Sequence, residues 1–213
     1  MDCSLLINPY YGKTSTRGIV MHLEDSLKYG PAIIYNVPGR TGQDIKPEII
    51  MQIAGHDHFC GVKECMGPER IRELADQGVA CWSGNDDQCH MSRRDYGAVG
   101  VISLTSNVVP GIMREMMYSA DRAAADALDA KIQPLYKWLF TEPNPIGVNT
   151  MLMMLGASQP VFRLPYTHTS KEMRREAVKL IQAVGQQHMP LLGEVRVLED
   201  EEFKHVLNGD VAA

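Results

Sequence analysis

The sequence has little that would mark it for membranes, nucleic acid or metal. No run of about 18 apolar residues occurs, so no segment reads as a membrane-spanning helix. No cluster of Lys and Arg stands anywhere, and the net charge is −5, which removes the electrostatic footprint of a nucleic-acid binder. The partner expected on charge is a small molecule or a second copy of the chain. Five cysteines (Cys3, Cys60, Cys65, Cys81, Cys89) show no CxxC spacing. An odd count without a framework reads as reduced, intracellular thiols. Seven histidines include no HxxxH pair, which argues against zinc. The start, MDCSLLINPYYGK, has no charged leader and no long apolar stretch, so it is not read as a secretory signal, and it is not rich enough in Arg and Ser for a transit peptide. GxGxxG and GxxxxGK[ST] are both missing, which removes the usual dinucleotide and P-loop signatures.

What is present is a series of short, near-continuous apolar runs: SLLIN from Ser4, AIIYNV from Ala32, FCGVK from Phe59, VACWS from Val79 and VGVISL from Val99. Such runs suit parallel strands buried on both faces. Between them Ile19, Leu23 and Leu27 share one helical face, and Gly30-Pro31 stops that helix. Pro47 and Pro68 stand at helix starts, with Gly55 and Gly78 at helix ends. The first half therefore predicts repeated β-loop-α units. After Pro110 the pattern turns helical: GIMREMMYSADRAAADALDAKIQPLYKWLF is expected as a long helical stretch, followed by PIGVNTMLMMLG and KEMRREAVKLIQAVGQQH. No comparable strand is expected until the tail GEVRVLEDEEF. Met151, Met153 and Met154 read as helical core rather than a soft-metal site, and LEDEE as a solvated tail.

Alternating strands and helices fit a doubly wound sheet or a (β/α)8 barrel. The polar stretches NPYYGK, YNVPGRTG, KEC, SGNDD and SLTSN all fall at strand C-terminal ends, where barrel chemistry sits, and favour the barrel. The strand candidates number five rather than eight. Lys63 directly follows Val62 at such an end. Apolar walls would lower its pKa and free the amine for Schiff-base chemistry with a ketone. The alternative is a solvated turn in which Lys63 pairs with Glu64. Tyr35, at the equivalent place on the preceding strand, shifts the balance, because its hydroxyl could relay protons to an imine. Arg40, in PGRTG, suits bidentate binding of a carboxylate, or is a surface arginine. Tyr10 and Tyr11 suggest an interface.

NPYYGK, IIYNVPGRTG, GVKEC, WSGNDD, GVISLTSN, KWLFTEPNPI and FRLPY together resemble the dihydrodipicolinate synthase family, in its order and spacing over essentially the whole chain. YGKTS, TGQD, CWSGNDD and VRVLEDEEF resemble its plant-type branch. The resemblance implies a Schiff-base lyase that condenses pyruvate with L-aspartate 4-semialdehyde in diaminopimelate-route lysine synthesis. The implied fold is a partial (β/α)8 TIM barrel with a C-terminal helical extension. Residues 1–110 would be the C-terminal part of the barrel (the family's strands 4 to 8). Residues 111–213 would hold the last barrel helix, the extension and the acidic tail. Lys63 would form the imine, and Tyr35 would relay protons. Tyr11 would reach across a dimer interface. Arg40 would hold the semialdehyde carboxylate. Gly84 and Ile102 would line the pyruvate pocket through backbone, with Asn36 in the substrate-binding set, and Tyr10 would border a lysine feedback site. No metal or organic cofactor is implied. A homo-oligomer (a tetramer in the family) and the chloroplast stroma are. The family's first three βα units, with their relay threonine, have no counterpart in this sequence. Another class I pyruvate aldolase, such as N-acetylneuraminate lyase or a keto-deoxy sugar acid aldolase, and a truncated non-catalytic paralogue are the alternatives.

Overall fold

The computed structural model describes residues 2–185, 188–189 and 192–206. The chain divides into two compact units, Met1–Ser103 and the residues from Leu104 onward.

In the first unit the five apolar runs become five parallel strands in sequence order: β1 (Ser4–Ile7), β2 (Ala32–Asn36), β3 (Phe59–Glu64), β4 (Cys81–Ser83) and β5 (Gly100–Val101). This is the strand succession of a (β/α)8 barrel, with β3 in the middle. Helices α1 (Thr16–Leu27), α2 (Pro38–Thr41), α3 (Pro47–Ile53), α4 (Pro68–Ala75) and α5 (Cys89–Tyr96) form the crossovers. Ser15 caps α1 by accepting the Gly18 N–H on its hydroxyl. Pro38, Pro47 and Pro68 each open a helix, where a missing N–H costs nothing. The PGRT stretch is the helical turn α2, closed by Gly42 at φ 73. One sheet face packs on the helices: Ala32, Ile34, Val62 and Cys81 join Ile19, Leu23, Leu27, Ile50, Ile53, Ile71 and Leu74 in a single core.

One irregularity sets the other face. The register runs Ala32↔Phe59 and then Ile33↔Gly61, so β3 carries one extra residue, Cys60. Gly61 takes φ 131 there, and a Cβ would lie 2.2 Å from the Ala80 carbonyl oxygen, so only glycine fits. Beyond the bulge Val62 pairs with Ile34 and Lys63 with Tyr35. A strand shifted by one residue exchanges its faces, so the bulge is what brings Lys63 to the same side as Tyr35.

The second unit is mostly helical: α6 (Pro110–Tyr118), α7 (Arg122–Leu139), α8 (Ile146–Met154) and α9 (Lys171–Val184). The single long stretch expected after Pro110 is two helices, because Asp121 breaks it and caps α7 through the Ala124 N–H. Positions 186–187 of the expected last helix lie outside the described residues. Met151, Met153 and Met154 are buried on α8, as core packing requires. One expectation is corrected. Val161–Arg163 (β6) pairs in parallel with Lys204–Val206 (β7), so a strand precedes the tail and the tail strand falls after VRVL. The acidic residues of LEDEE are mostly exposed, as a solvated run requires, and the segment is anchored at its ends. Leu198 and Phe203 are buried, and the wholly buried Arg174 donates from Nε to the Leu198 carbonyl (2.8 Å) and from other nitrogens to Thr169 and Asp200. A buried guanidinium needs such acceptors, and the tail supplies two of them.

Candidate active site

Lys63 leaves β3 at its C-terminal end with Tyr35 beside it on β2 and Trp82 on β4. Its Nζ lies 4.2 Å from the centroid of the Tyr35 ring. Burial pushes the Lys63 amine below the ordinary lysine range, opposed by the nearby Cys65 and Asp86. Pairing with Glu64 in a solvated turn is not what forms. Successive strand residues face opposite ways, and Glu64 is buried on the helix side, where its carboxylate accepts from Asn36 Nδ2 (3.0 Å to each oxygen) and from the Met66 N–H (2.7 Å). Burial raises the Glu64 pKa against those bonds.

The Tyr35 phenol is pushed up to about 12, chiefly by burial and then by the adjacent Cys65, while Arg40 pulls it down. Tyr35 is therefore a neutral proton donor near pH 7. Arg40 sits exposed on α2, within electrostatic reach of that phenol. Gly84 donates its N–H to the Glu64 carbonyl (2.8 Å), and Ile102 donates its own to Ser83 (3.0 Å), so both are backbone-fixed at neighbouring strand ends. Any Cβ on Gly84 would fall 2.2 Å from Cys65 Sγ and 3.2 Å from Lys63 Cε. Lys63, Tyr35 and Gly84 thus form one constellation, with Arg40 at its edge.

The other expected site residues stand apart. Tyr10 and Tyr11 are 69% and 96% exposed, and no hydrogen bond or ring contact joins either to Lys63 or Tyr35. Tyr11 adopts φ 68, which is uncommon outside glycine and disfavours a bulky ring. Asn36 is fully buried on the helix-covered face, with its side chain held by protein groups. Its amide donates to Glu64 and Asp44 (2.8 Å), and its oxygen accepts from the Ile45 N–H (2.9 Å). Asp44 in turn holds Arg70 through two 3.1 Å bonds. Asn36 supports the strand ends from behind.

Sequence reasoning passed over Cys65 and Asp86. The alternation of β3 carries the signal for the first, since a residue two after Lys63 returns to the same side. Asp86 is 1% exposed, and only the tertiary arrangement brings its charge to Lys63.

A parallel α/β half-barrel with a desolvated lysine and a neutral tyrosine at adjacent strand ends defines a protein equipped for amine-carbonyl chemistry. Residues 1–184 match the dihydrodipicolinate synthetase family, and the chain belongs to it. It is 53% identical over 203 residues to 4-hydroxy-tetrahydrodipicolinate synthase 2, chloroplastic, of Triticum aestivum, covering 95% of this chain and 53% of that protein. It is 52% identical to the chloroplastic synthase 1 of Arabidopsis thaliana, covering 95% and 55%, and 39% identical to the synthase of Kosmotoga olearia, covering 86% and 66%. The higher identities to plant proteins agree with the plant-type resemblance. Among solved structures, the chloride-inhibited dihydrodipicolinate synthase of Acinetobacter baumannii complexed with pyruvate superposes with a TM-score of 0.81 at 32% identity, covering 86% of this chain and 66% of that one. The chain spans about half the length of the plant relatives it matches.

Proposed function

We propose that this chain carries the imine-forming centre of a 4-hydroxy-tetrahydrodipicolinate synthase, condensing pyruvate with L-aspartate 4-semialdehyde in lysine synthesis. The observation that carries this reading is the Lys63 amine, desolvated and 4.2 Å from the Tyr35 ring at a strand end. The free amine attacks the pyruvate ketone. The carbinolamine loses water, its oxygen protonated through Tyr35, to give the imine. Loss of a proton yields the enamine, whose carbon attacks the aldehyde. The amine of the second substrate then attacks the imine carbon, closes the ring and expels Lys63. Arg40 pairs with the semialdehyde carboxylate, and Gly84 and Ile102 present backbone to pyruvate. Tyr11, 96% exposed and in a left-handed conformation, suits a residue offered to a neighbouring copy in a homo-oligomer. Tyr10 beside it would border a site for lysine as feedback ligand. The chloroplast stroma is the expected location, by likeness to the chloroplastic relatives.

The test is to incubate the chain with pyruvate and borohydride. A reduced three-carbon adduct on the peptide holding Lys63 is expected, absent in Lys63→Arg. Label on a different lysine with Lys63 unmodified overturns the assignment.

A further inference from the structure

Two cross-strand pairs stand next to each other where β2 and β3 end. The register sets Tyr35 opposite Lys63 and then Asn36 opposite Glu64. Successive strand residues face opposite ways, so the first pair lies on the side of the amine and the second on the helix-covered side. Asn36 and Glu64 are 0% and 1% exposed. Asn36 Nδ2 donates to both carboxylate oxygens of Glu64, 3.0 Å from each, and Oε1 of Glu64 also accepts the Met66 N–H (2.7 Å). Turning the Asn36 amide over would break two further bonds, since its oxygen accepts the Ile45 N–H (2.9 Å) and its nitrogen donates to Asp44 (2.8 Å). Arg70 of α4 holds Asp44 in turn. The backbone of the same two residues is tied as well: the Asn36 carbonyl accepts the Cys65 N–H (3.1 Å), and the Glu64 carbonyl accepts the Gly84 N–H (2.8 Å).

We propose that Glu64 is a positioning residue for the Lys63 centre: with Asn36 it clamps the ends of β2 and β3 from behind and so fixes the separation of Lys63 and Tyr35 on the other side. The proposal rests on the imine reading for its consequence and on the hydrogen bonds above for the clamp. Glu64 faces away from the amine and acts through the backbone it shares with Lys63. A carbinolamine oxygen needs the phenol within hydrogen-bond reach, and a displacement of about 1 Å costs up to about a hundredfold in rate. Glu64→Gln keeps the shape and removes the clamp. Its oxygen stays with the Met66 N–H, so its NH2 group meets the Asn36 NH2 group, donor against donor. In the triple variant Asn36→Asp, Asp44→Asn, Glu64→Gln, donors and acceptors among the three side chains are exchanged, and the bonds between them return.

Two measurements on the full chain test this. In the first, pyruvate-borohydride labelling of Lys63 is followed against pyruvate concentration in the wild type, Glu64→Gln and the triple variant, with urea unfolding measured alongside. In Glu64→Gln the labelling rate at saturating pyruvate should fall about tenfold, while the half-saturating concentration stays within about threefold. The triple variant should return to within about threefold of the wild type. In the second, amide hydrogen exchange is read at Cys65 and Gly84. Both N–H groups should exchange about tenfold faster in Glu64→Gln and slow again in the triple variant. Asn36→Ala opens the same clamp from β2 and takes the place of Glu64→Gln in both arms if that variant does not fold. A carboxylate that only stabilises the fold lowers the urea midpoint and leaves the saturating rate unchanged, so a wild-type saturating rate in folded Glu64→Gln overturns the proposal. So does unchanged exchange at Cys65 and Gly84, or a triple variant that folds and labels as slowly as Glu64→Gln. If the wild type forms no Lys63 adduct, the imine reading fails, and the exchange arm alone decides whether the clamp exists.

Discussion

A lysine at a strand end becomes a nucleophile only if its neighbours disfavour the charged form. Burial does so at Lys63, against the opposing pull of Cys65 and Asp86. The amine is attacking in its deprotonated form, so adduct formation with pyruvate should rise with pH through a midpoint below that of an ordinary lysine, about 10.4. A labelling-rate titration checks this, and a midpoint at the ordinary value would mean that burial does not tune Lys63. Gly84 tests the packing around the same amine. Gly84→Ala places a methyl group 2.2 Å from Cys65 Sγ and 3.2 Å from Lys63 Cε, so adduct formation should fall by at least about tenfold while the chain still folds. Labelling rate and circular dichroism measured together decide it. Arg40→Ala should weaken the second substrate by about ten- to a hundredfold, the worth of a charge-assisted bidentate contact, and leave pyruvate labelling nearly intact. Equal loss of both steps would make Arg40 structural.

At the scale of elements, the bulge in β3 decides which face carries the chemistry. Gly61→Ala forces a Cβ against the Ala80 carbonyl at φ 131 and should cost on the order of 2 kcal/mol of stability, together with the Lys63 adduct, because β3 can relieve the clash only by losing its register. Urea unfolding and adduct labelling test the two halves of that statement. In the helical unit, Arg174 ties α9 to the segment before β7. Arg174→Met leaves the carbonyls of Leu198 and Thr169 without their donor and should destabilise by about 3 kcal/mol. Limited proteolysis should then cut between Arg196 and Val206, where the unaltered chain resists. Unchanged resistance would show that Leu198 and Phe203 hold the segment by burial alone.

At the scale of the whole molecule, the decisive feature is that, among the described residues, β1 and β5 each have a single strand neighbour. A (β/α)8 barrel closes when its first and eighth strands pair, and these five do not meet. Leu5 (46%), Ile7 (36%) and Val99 (43%) are exposed at or beside those edges. Free strand edges with apolar side chains recruit further strands. The purified chain is therefore expected to sediment as oligomers or aggregates, with weak near-UV circular dichroism and little turnover of pyruvate plus aspartate semialdehyde. A monodisperse, well-packed species with normal turnover would show that five strands suffice.

Strand order, the crossover helices and the places of Lys63 and Tyr35 were legible in the sequence. Each rests on local signals: β-branched runs, prolines at helix starts, and polar residues at strand ends. The site's wider circle was not legible. Cys65 looked like one of five unremarkable thiols, because linear order does not say which side chains from different strand ends meet. The tail's acidic residues are solvated as their charges suggest, but the buried Arg174 that Asp200 meets lies 26 residues before it, too far for linear order to reveal. The sequence by itself determined the elements and the amine. Only the tertiary structure decided the register, through one extra residue in β3, and with it which side chains surround that amine, since faces and burial arise from pairing between segments far apart in the chain.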